Sequence, residues 1–140
     1  MSIIAVDFDG CLCSNAWPEI GVPNLHMMDA LKHRREEGDK VILWTCRSGD
    51  LLEHAVDWCR GFGLEFDAIN ANLPENIKQY GNDCRKVWAD EYWDDKAVQV
   101  IMFSERVCII NGLFQHAFIP FPKDRLIDRL KRRWRKWRST

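Results

Sequence analysis

The stretch IIAVDFDGC, residues 3–11, decides the fold. Its first four residues are apolar and rich in β-branched side chains, which predicts a short buried strand. Two carboxylates, Asp7 and Asp9, follow this strand two residues apart, and an Asp-Gly pair then favours a turn. In a parallel α/β sheet, chemistry lies beyond the carboxyl ends of the strands, so this turn is a candidate site.

Outward from this stretch, strand and helix patterns alternate. Asn24 and Ser48 are placed to cap two helices that carry apolar residues at helical spacing. Asn111-Gly112 is a hairpin signal. Further strand patterns fall at residues 41–44, 64–69, 87–93, 98–103, 107–110 and 113–119. The order predicts an α/β fold with a mainly parallel sheet covered by helices on both faces.

One of these strand patterns contains polar residues at unusual places. Asp90 and Glu91 lie inside the pattern at residues 87–93. Buried strands of parallel sheets are normally continuous apolar runs. We therefore expect this strand to begin late or to lie near an edge of the sheet.

Polar and charged residues follow the predicted strands at the edge where their carboxyl ends meet. Thr45 and Arg47 follow the second strand, Lys86 precedes the fourth, and Asp94 and Asp95 end it. Clustered carboxylates repel one another unless a hard cation bridges them, and Mg2+ prefers oxygen ligands. Acids, a hydroxyl and a cation together suit phosphoryl transfer, in which charge spreads over the phosphoryl oxygens.

Each of these residues can take a role in that reaction. Asp7 can attack phosphorus as the nucleophile. Asp9 can protonate the leaving oxygen and then deprotonate water. Thr45 can donate a hydrogen bond to a phosphoryl oxygen, and Lys86 can neutralise charge in the transition state. The neighbouring Arg85 is the alternative candidate for this cation.

Four segments resemble, in order, the sequence motifs of the haloacid dehalogenase superfamily of phosphohydrolases. They are residues 7–11, residues 42–45, Lys86 and residues 92–95, which together cover about residues 1–96. The family usually has Thr or Val where this chain has Cys11. The resemblance implies a Rossmann-like three-layer fold, Mg2+ as cofactor and hydrolysis of phosphomonoesters through an aspartyl-phosphate intermediate.

The resemblance also implies how the site is built. Three carboxylates are expected to bind Mg2+: Asp7, Asp9 and Asp94. We expect Asp95 to support the site without ligating the metal directly. Arg47 is either a contact to the substrate phosphate or a solvated surface residue, and Gly10 is a further candidate for substrate binding.

The spacing of the motifs leaves no room for a large cap domain. About 33 residues separate Cys11 from Thr45 and about 40 separate Thr45 from Lys86, and the predicted helices and strands occupy most of both intervals. The chain is therefore expected to be a capless member with an open site. Such a site suits a small or macromolecular phosphate ester, or a pocket that another subunit completes.

Two other classes of protein remain as alternatives to a phosphatase. One is a catalytically degenerate binding module with the same fold, which is disfavoured because every expected catalytic position is filled. The other is a phosphoacceptor domain similar to response-regulator receivers. In receivers the paired acids follow the first strand and the acceptor Asp stands alone after a later one, whereas here the double acid comes last.

Composition limits the broad class of protein. Of 140 residues, 46% are hydrophobic and 29% are charged, which excludes disordered and fibrous proteins. No apolar run reaches the roughly 18–20 residues that span a bilayer. No basic stretch typical of a signal peptide opens the chain, so a cytoplasmic protein is expected. The six cysteines lack metal-ligand spacing and are expected to be free thiols.

The charge is distributed unevenly between two predicted domains. Residues 1–122 are expected to form the catalytic domain, and residues 123–140 a basic amphipathic helix. This tail has nine Lys and Arg against two Asp, a net charge of +7, while the other residues carry −8. The helix either docks on the catalytic domain or contacts an anionic partner such as nucleic acid or lipid.

Overall fold

The structure is a computed structural model that describes residues 1–103, 106–111 and 115–118. The chain divides into two compact units, Met1–Ala97 and Val98–Thr140. The predicted domain boundary between residues 122 and 123 and the predicted basic helix lie outside the described residues, so both stay predictions.

The first unit alternates strands and helices, as its sequence predicts. Its elements are β1 (Ile3–Val6), α1 (Leu25–Glu36), β2 (Lys40–Leu43), α2 (Gly49–Gly61), β3 (Ala68–Ile69), α3 (Pro74–Tyr80) and β4 (Glu91–Trp93). The strands are all parallel and lie in the order β3-β2-β1-β4. The predicted α/β class with a parallel, Rossmann-like sheet is confirmed, and no large cap interrupts the elements of this unit.

The sheet buries both of its faces, which gives the unit three layers. Ile4 and Val6 of β1 contribute to one apolar cluster with Met28 and Leu31 of α1. Ala5 points the other way and joins a second cluster with Ile42, Leu73, Val87 and Ala89. Full burial of each large aliphatic side chain contributes roughly 1.5–3 kcal/mol, so these two clusters hold the sheet between its covering layers.

Local sequence signals explain where the helices begin and end. The Asn24 side chain accepts a hydrogen bond from the backbone N–H of Met27 at 3.2 Å and so caps α1. Ser48 occupies the corresponding position before α2, but its hydroxyl makes no capping hydrogen bond within the described residues. The sequence did not predict α3, although Pro74 opens it and Gly81, with a left-handed φ of 75°, ends it.

The fourth strand is shorter than its apolar pattern indicates. It begins only at Glu91 and lies at an edge of the sheet, as the polar residues of this segment predict. Val87 and Ala89 are buried in the second cluster without belonging to the strand. The Asp90 carboxylate accepts a hydrogen bond from the N–H of Ile3 at 2.7 Å, so this residue joins the edge strand to β1.

Ion pairs fasten the end of the sheet where the strands begin. Arg34, in the last turn of α1, donates to Asp39 at 2.5 Å and to Glu91 at 2.6 Å. Asp67 accepts from Lys40 at 3.2 Å and from the backbone N–H of Val41 at 2.8 Å. A cavity of about 370 Å³, lined by Asp39, Lys40, Asp67 and residues of α1, lies at this amino-terminal end and not at the end where the acidic turn lies.

The second unit has a sheet of its own. Its strands are β5 (Gln99–Phe103), β6 (Arg106–Asn111) and β7 (Gln115–Phe118). They pair antiparallel in the order β5-β6-β7. The three strand patterns predicted at residues 98–119 are therefore confirmed, with boundaries that differ by one or two residues. Among all described elements, no helix has the length and apolar composition needed to cross a membrane.

Candidate active site

The order of the strands creates a crevice beside the end of β1. From β1 the chain crosses through α1 to β2 on one side, and β4 later pairs on the other side. In open α/β sheets, ligands bind at such a reversal of strand order, beyond the carboxyl ends of the strands. The backbone N–H of Asp7 donates to the carbonyl of Trp93 at 2.9 Å. This bond brings the residue after β1 next to the two acids that follow β4.

Three carboxylates meet in this crevice. Oxygen atoms of Asp7, Asp94 and Asp95 all lie within 4.8 Å of one another. Asp7 is half-buried and the other two are exposed. The structure thus brings together Asp7 and Asp94, two of the residues predicted as metal ligands, and Asp95 lies in the same cluster.

The electrostatics of Asp7 reflect this crowding. Burial raises the pKa of the Asp7 carboxyl above its ordinary value, and the nearby charges of Asp94, Asp9 and Asp95 raise it further. A hydrogen bond from the backbone N–H of Phe8 to Oδ1, at 2.7 Å, opposes the shift. The ionised form of Asp7 is therefore disfavoured by its surroundings, as expected for a carboxylate cluster that a cation would stabilise.

The donor atoms of this cluster fit a hard divalent cation. Carboxylate oxygens are the ligands that Mg2+ prefers, and Mg2+ is usually held by one or two carboxylates while it keeps several waters. The nearby Cys11 offers no soft thiolate, because burial raises the pKa of its thiol to about 11. Its Sγ instead donates to the carbonyl of Trp93 at 3.6 Å, so the residue stabilises the turn.

Gly10 allows the turn and the acidic cluster to approach each other. Its φ is +89°, a left-handed conformation that L side chains rarely adopt. A Cβ atom at this position would lie 2.5 Å from Oδ2 of Asp95, closer than any real contact. Gly10 therefore has a role in packing against Asp95, and its predicted contact to substrate stays a prediction.

Asp9 does not join the three-carboxylate cluster. Its oxygens accept two hydrogen bonds from Arg47, from Nε at 2.9 Å and from Nη2 at 2.7 Å. The Arg47 residue is only 2% exposed and lies over the Phe8 ring, with Cζ 4.8 Å from the ring centroid. Arg47 is therefore a buried partner of Asp9 and not a solvated surface residue, and its predicted contact to the substrate phosphate stays a prediction.

Thr45 follows β2 and is held by a residue that the sequence analysis did not select. The N–H of Thr45 donates to Oδ1 of Asn70 at 2.8 Å, and Asn70 Nδ2 donates to the carbonyl of Arg47 at 3.3 Å. Asn70 has a left-handed φ of 48°, which Asn tolerates better than most residues. The sequence signal that could have identified Asn70 is its position directly after a predicted strand. Asn70 fixes the backbone on both sides of Cys46.

Lys86 forms no ion pair with the three clustered carboxylates in the part of the chain that the structure describes. It is exposed, and its ammonium lies 5.4 Å from the centroid of the Tyr92 ring. The loop that carries it is anchored by Asn72, whose side chain donates to Asp83 at 2.8 Å and to the carbonyl of Cys84 at 3.1 Å. Arg85 is also exposed, so burial does not distinguish the two candidate cations.

The fold and this acidic crevice define an α/β protein with a parallel sheet and a carboxylate site at its reversal of strand order. A solved structure of a conserved protein from Bacteroides thetaiotaomicron is similar to it, with 40% sequence identity and a TM-score of 0.62. The likeness covers 69% of this chain and 77% of that one. The chain belongs to the same family as this conserved protein. No protein-family model and no curated protein matches the chain.

Proposed function

We propose that this protein is a Mg2+-dependent phosphomonoester hydrolase of the haloacid dehalogenase type, with Asp7 as the nucleophile. The observation that carries the proposal is the meeting of Asp7, Asp94 and Asp95 within 4.8 Å at the reversal of strand order. Bound Mg2+ would be held by Asp7 and Asp94 with Asp95 beside them, and it would supply the positive charge that screens these carboxylates from a phosphate.

Asp7 is oriented for attack on phosphorus. The hydrogen bond from the Phe8 N–H fixes Oδ1 and leaves the second oxygen to form the new bond. As the bond between this oxygen and phosphorus forms, the bond from phosphorus to the leaving oxygen breaks. The product of this first step is an aspartyl phosphate, which water then hydrolyses to inorganic phosphate and free Asp7.

Asp9 supplies and removes the protons. It gives its proton to the leaving oxygen in the first step, and in the second step it takes a proton from the attacking water. A carboxylate has about four lone-pair positions, and the two bonds to Arg47 use only two of them. Each oxygen of Asp9 therefore keeps one position for proton transfer while the guanidinium holds the side chain.

Thr45 is suited to bind a phosphoryl oxygen. Its Oγ1 accepts a hydrogen bond from the backbone N–H of Arg47 at 3.2 Å, so the hydroxyl proton remains to be donated. In the family that the sequence resembles, a cation completes the charge balance, and Lys86 or Arg85 would supply it from the exposed loop. The negative charge of a bound substrate phosphate would attract the cationic side chain of Lys86 or Arg85 toward the site.

The experiment compares the wild-type protein with Asp7→Asn on an aryl phosphate, with Mg2+ and with EDTA. The amide fits the same space but cannot attack, so we expect kcat to fall at least about a thousandfold with the fold intact. Wild-type protein should form a beryllium fluoride adduct on Asp7. Asp57→Asn, an exposed acid of α2, is the matched control and should keep full activity.

Two outcomes would contradict the proposal. Full activity in EDTA would exclude a role for the metal in catalysis. An active Asp7→Asn variant would exclude Asp7 as the nucleophile. A folded wild-type protein that hydrolyses no phosphate ester in a broad screen would instead favour the catalytically degenerate binding module.

A further inference from the structure

Arg47 is the buried arginine of the described residues, and its guanidinium is held by hydrogen bonds and by an aromatic ring. Besides the two bonds to Asp9, Nη1 donates to the carbonyl of Pro18 at 3.0 Å and Nη2 to the carbonyl of Glu19 at 2.8 Å. The Phe8 ring covers one face of the plane. Four of the five N–H groups of the guanidinium are thus engaged within the protein. This arrangement leaves little of the guanidinium to bind a substrate phosphate.

The two carbonyls belong to a loop that the guanidinium of Arg47 joins to Asp9. Ser14 and Val22 close the base of this loop, residues 14–23, through a backbone hydrogen bond of 2.8 Å. Trp17, next to the bonded carbonyls, is exposed. Because the same guanidinium bonds to the loop and to Asp9, the position of the carboxylate depends on the position of the loop.

On this geometry we propose, as a step that rests on the function above, that Arg47 is a positioning residue for Asp9. It holds the carboxylate in one orientation through two parallel hydrogen bonds and links that orientation to the loop at residues 14–23. A planar guanidinium fits a carboxylate with two bonds, whereas the ammonium of lysine acts as a point charge. Arg47 therefore acts on proton transfer through Asp9 and makes no contact with the phosphate.

The two candidate roles of Arg47 predict different dependence on the leaving group. The phenolate of 2,4-dinitrophenyl phosphate leaves without protonation, while that of phenyl phosphate benefits from a general acid. General acid catalysis contributes about 10²–10⁴-fold to the rate. Loss of Asp9 positioning should therefore slow phenyl phosphate much more than the activated ester. Loss of a phosphate contact should slow both esters equally and weaken inhibition by inorganic phosphate.

The test measures kcat/KM for both esters in the wild-type protein, Arg47→Met, Arg47→Lys and Asp9→Asn. We expect Arg47→Met to lower kcat/KM for phenyl phosphate at least about tenfold more than for the dinitrophenyl ester. Arg47→Lys should show the same pattern to a smaller extent. The inhibition constant of inorganic phosphate should stay nearly unchanged. Adding Arg47→Met to Asp9→Asn should cost little more, because both changes remove the same function.

Arg34→Met is the matched control, since it removes a paired arginine at the other end of the sheet. It should leave the ratio of the two kcat/KM values unchanged. If Arg47→Met does not fold, Arg47→Lys decides, because it keeps the buried charge. Equal losses on the two esters, or a raised inhibition constant for phosphate, would overturn the assignment of Arg47. Absence of turnover in the wild-type protein would instead overturn the proposed phosphatase, and this inference with it.

Discussion

The two ends of the parallel sheet hold their acidic residues in opposite ways. At the end where the strands begin, Asp39 and Glu91 both bond to Arg34. At the end where the strands stop, Asp7, Asp94 and Asp95 crowd together, and none of the three forms an ion pair with a side chain of the described residues. The first arrangement satisfies charge within the protein, and the second leaves charge to be satisfied by something else.

The pKa directions follow the same division. The hydrogen bond from Arg34, and to a smaller extent the one from Trp93, lowers the pKa of Glu91. The hydrogen bond from the Ser2 N–H, followed in size by the one from Arg34, lowers the pKa of Asp39. Burial and neighbouring acids raise the pKa of Asp7. Groups of the first kind stabilise the fold when ionised, whereas a cluster of the second kind costs stability unless a ligand relieves it. The difference indicates that the amino-terminal end of the sheet serves stability, and it supports the chemistry proposed for the carboxyl end.

The largest expected effect comes from removing one acid at the carboxyl end. Asp94→Ala should abolish most of the proposed phosphatase activity and raise the Mg2+ concentration needed for half of the remaining activity. Wild-type protein should also gain thermal stability from Mg2+, by about 2.7 kcal/mol at a concentration a hundred times the Kd, and the variant should not. Thermal melts at increasing Mg2+ measure this, with Glu91→Gln as the matched control that keeps its response. A wild-type melting temperature independent of Mg2+ would contradict the comparison.

A smaller effect, of the opposite kind, is expected at the amino end. Arg34→Met leaves Asp39 and Glu91 without their cation, so the melting temperature should fall while activity on an aryl phosphate stays near that of the wild-type protein. Thermal melting and steady-state kinetics on the same preparation check both parts. Arg60→Met, which breaks an exposed pair with Asp57, is the control and should change neither quantity measurably. If the Arg34→Met protein is folded but has lost activity, the two ends of the sheet do not separate stability from activity.

The smallest effect is in the dependence of stability on pH. Folding lowers the pKa values of Asp39 and Glu91 below 3.8 and 4.5, their ordinary values. Such groups stabilise the fold fully above those values, and the contribution is lost as the pH falls through the lowered pKa values. The difference in melting temperature between wild-type protein and Arg34→Met should therefore be constant near neutral pH and shrink in acid. A difference that grows below pH 4.5 would show that another interaction of Arg34 dominates.

Much of the site could be predicted because it depends on a general property of parallel sheets. Asp7 follows the first strand and Asp94 the fourth, and the carboxyl ends of parallel strands lie at one edge whatever their order. The local capping role of Asn24 was equally accessible, since it involves a residue three positions away. These inferences need only the strand pattern and the spacing of a few residues.

The partner of Asp9 could not be predicted in this way. Arg47 reaches Asp9 and the carbonyls at positions 18 and 19, which are separated from it by 28 to 38 residues of chain. These contacts depend on how the loop at residues 14–23 is placed in the folded protein, and no local sequence pattern predicts that. The helix α3 was missed because its seven residues bury none of their side chains and so give little apolar periodicity. Val87 and Ala89 misled the strand prediction because an apolar pattern records burial and not hydrogen bonding.

The position of β1 between β2 and β4 has a consequence for synthesis on the ribosome. β1 ends at Val6, but its partner on one side ends at Trp93. At about 5–20 residues per second, β4 leaves the ribosome several seconds or more after β1. During that interval the nascent chain can form β1, α1 and β2, because β1 and β2 are separated by few residues. The other edge of β1 stays unpaired until β4 has been synthesised. The acidic crevice is thus among the last features of the first unit to assemble, because Asp94 and Asp95 are among the last residues of that unit to be translated.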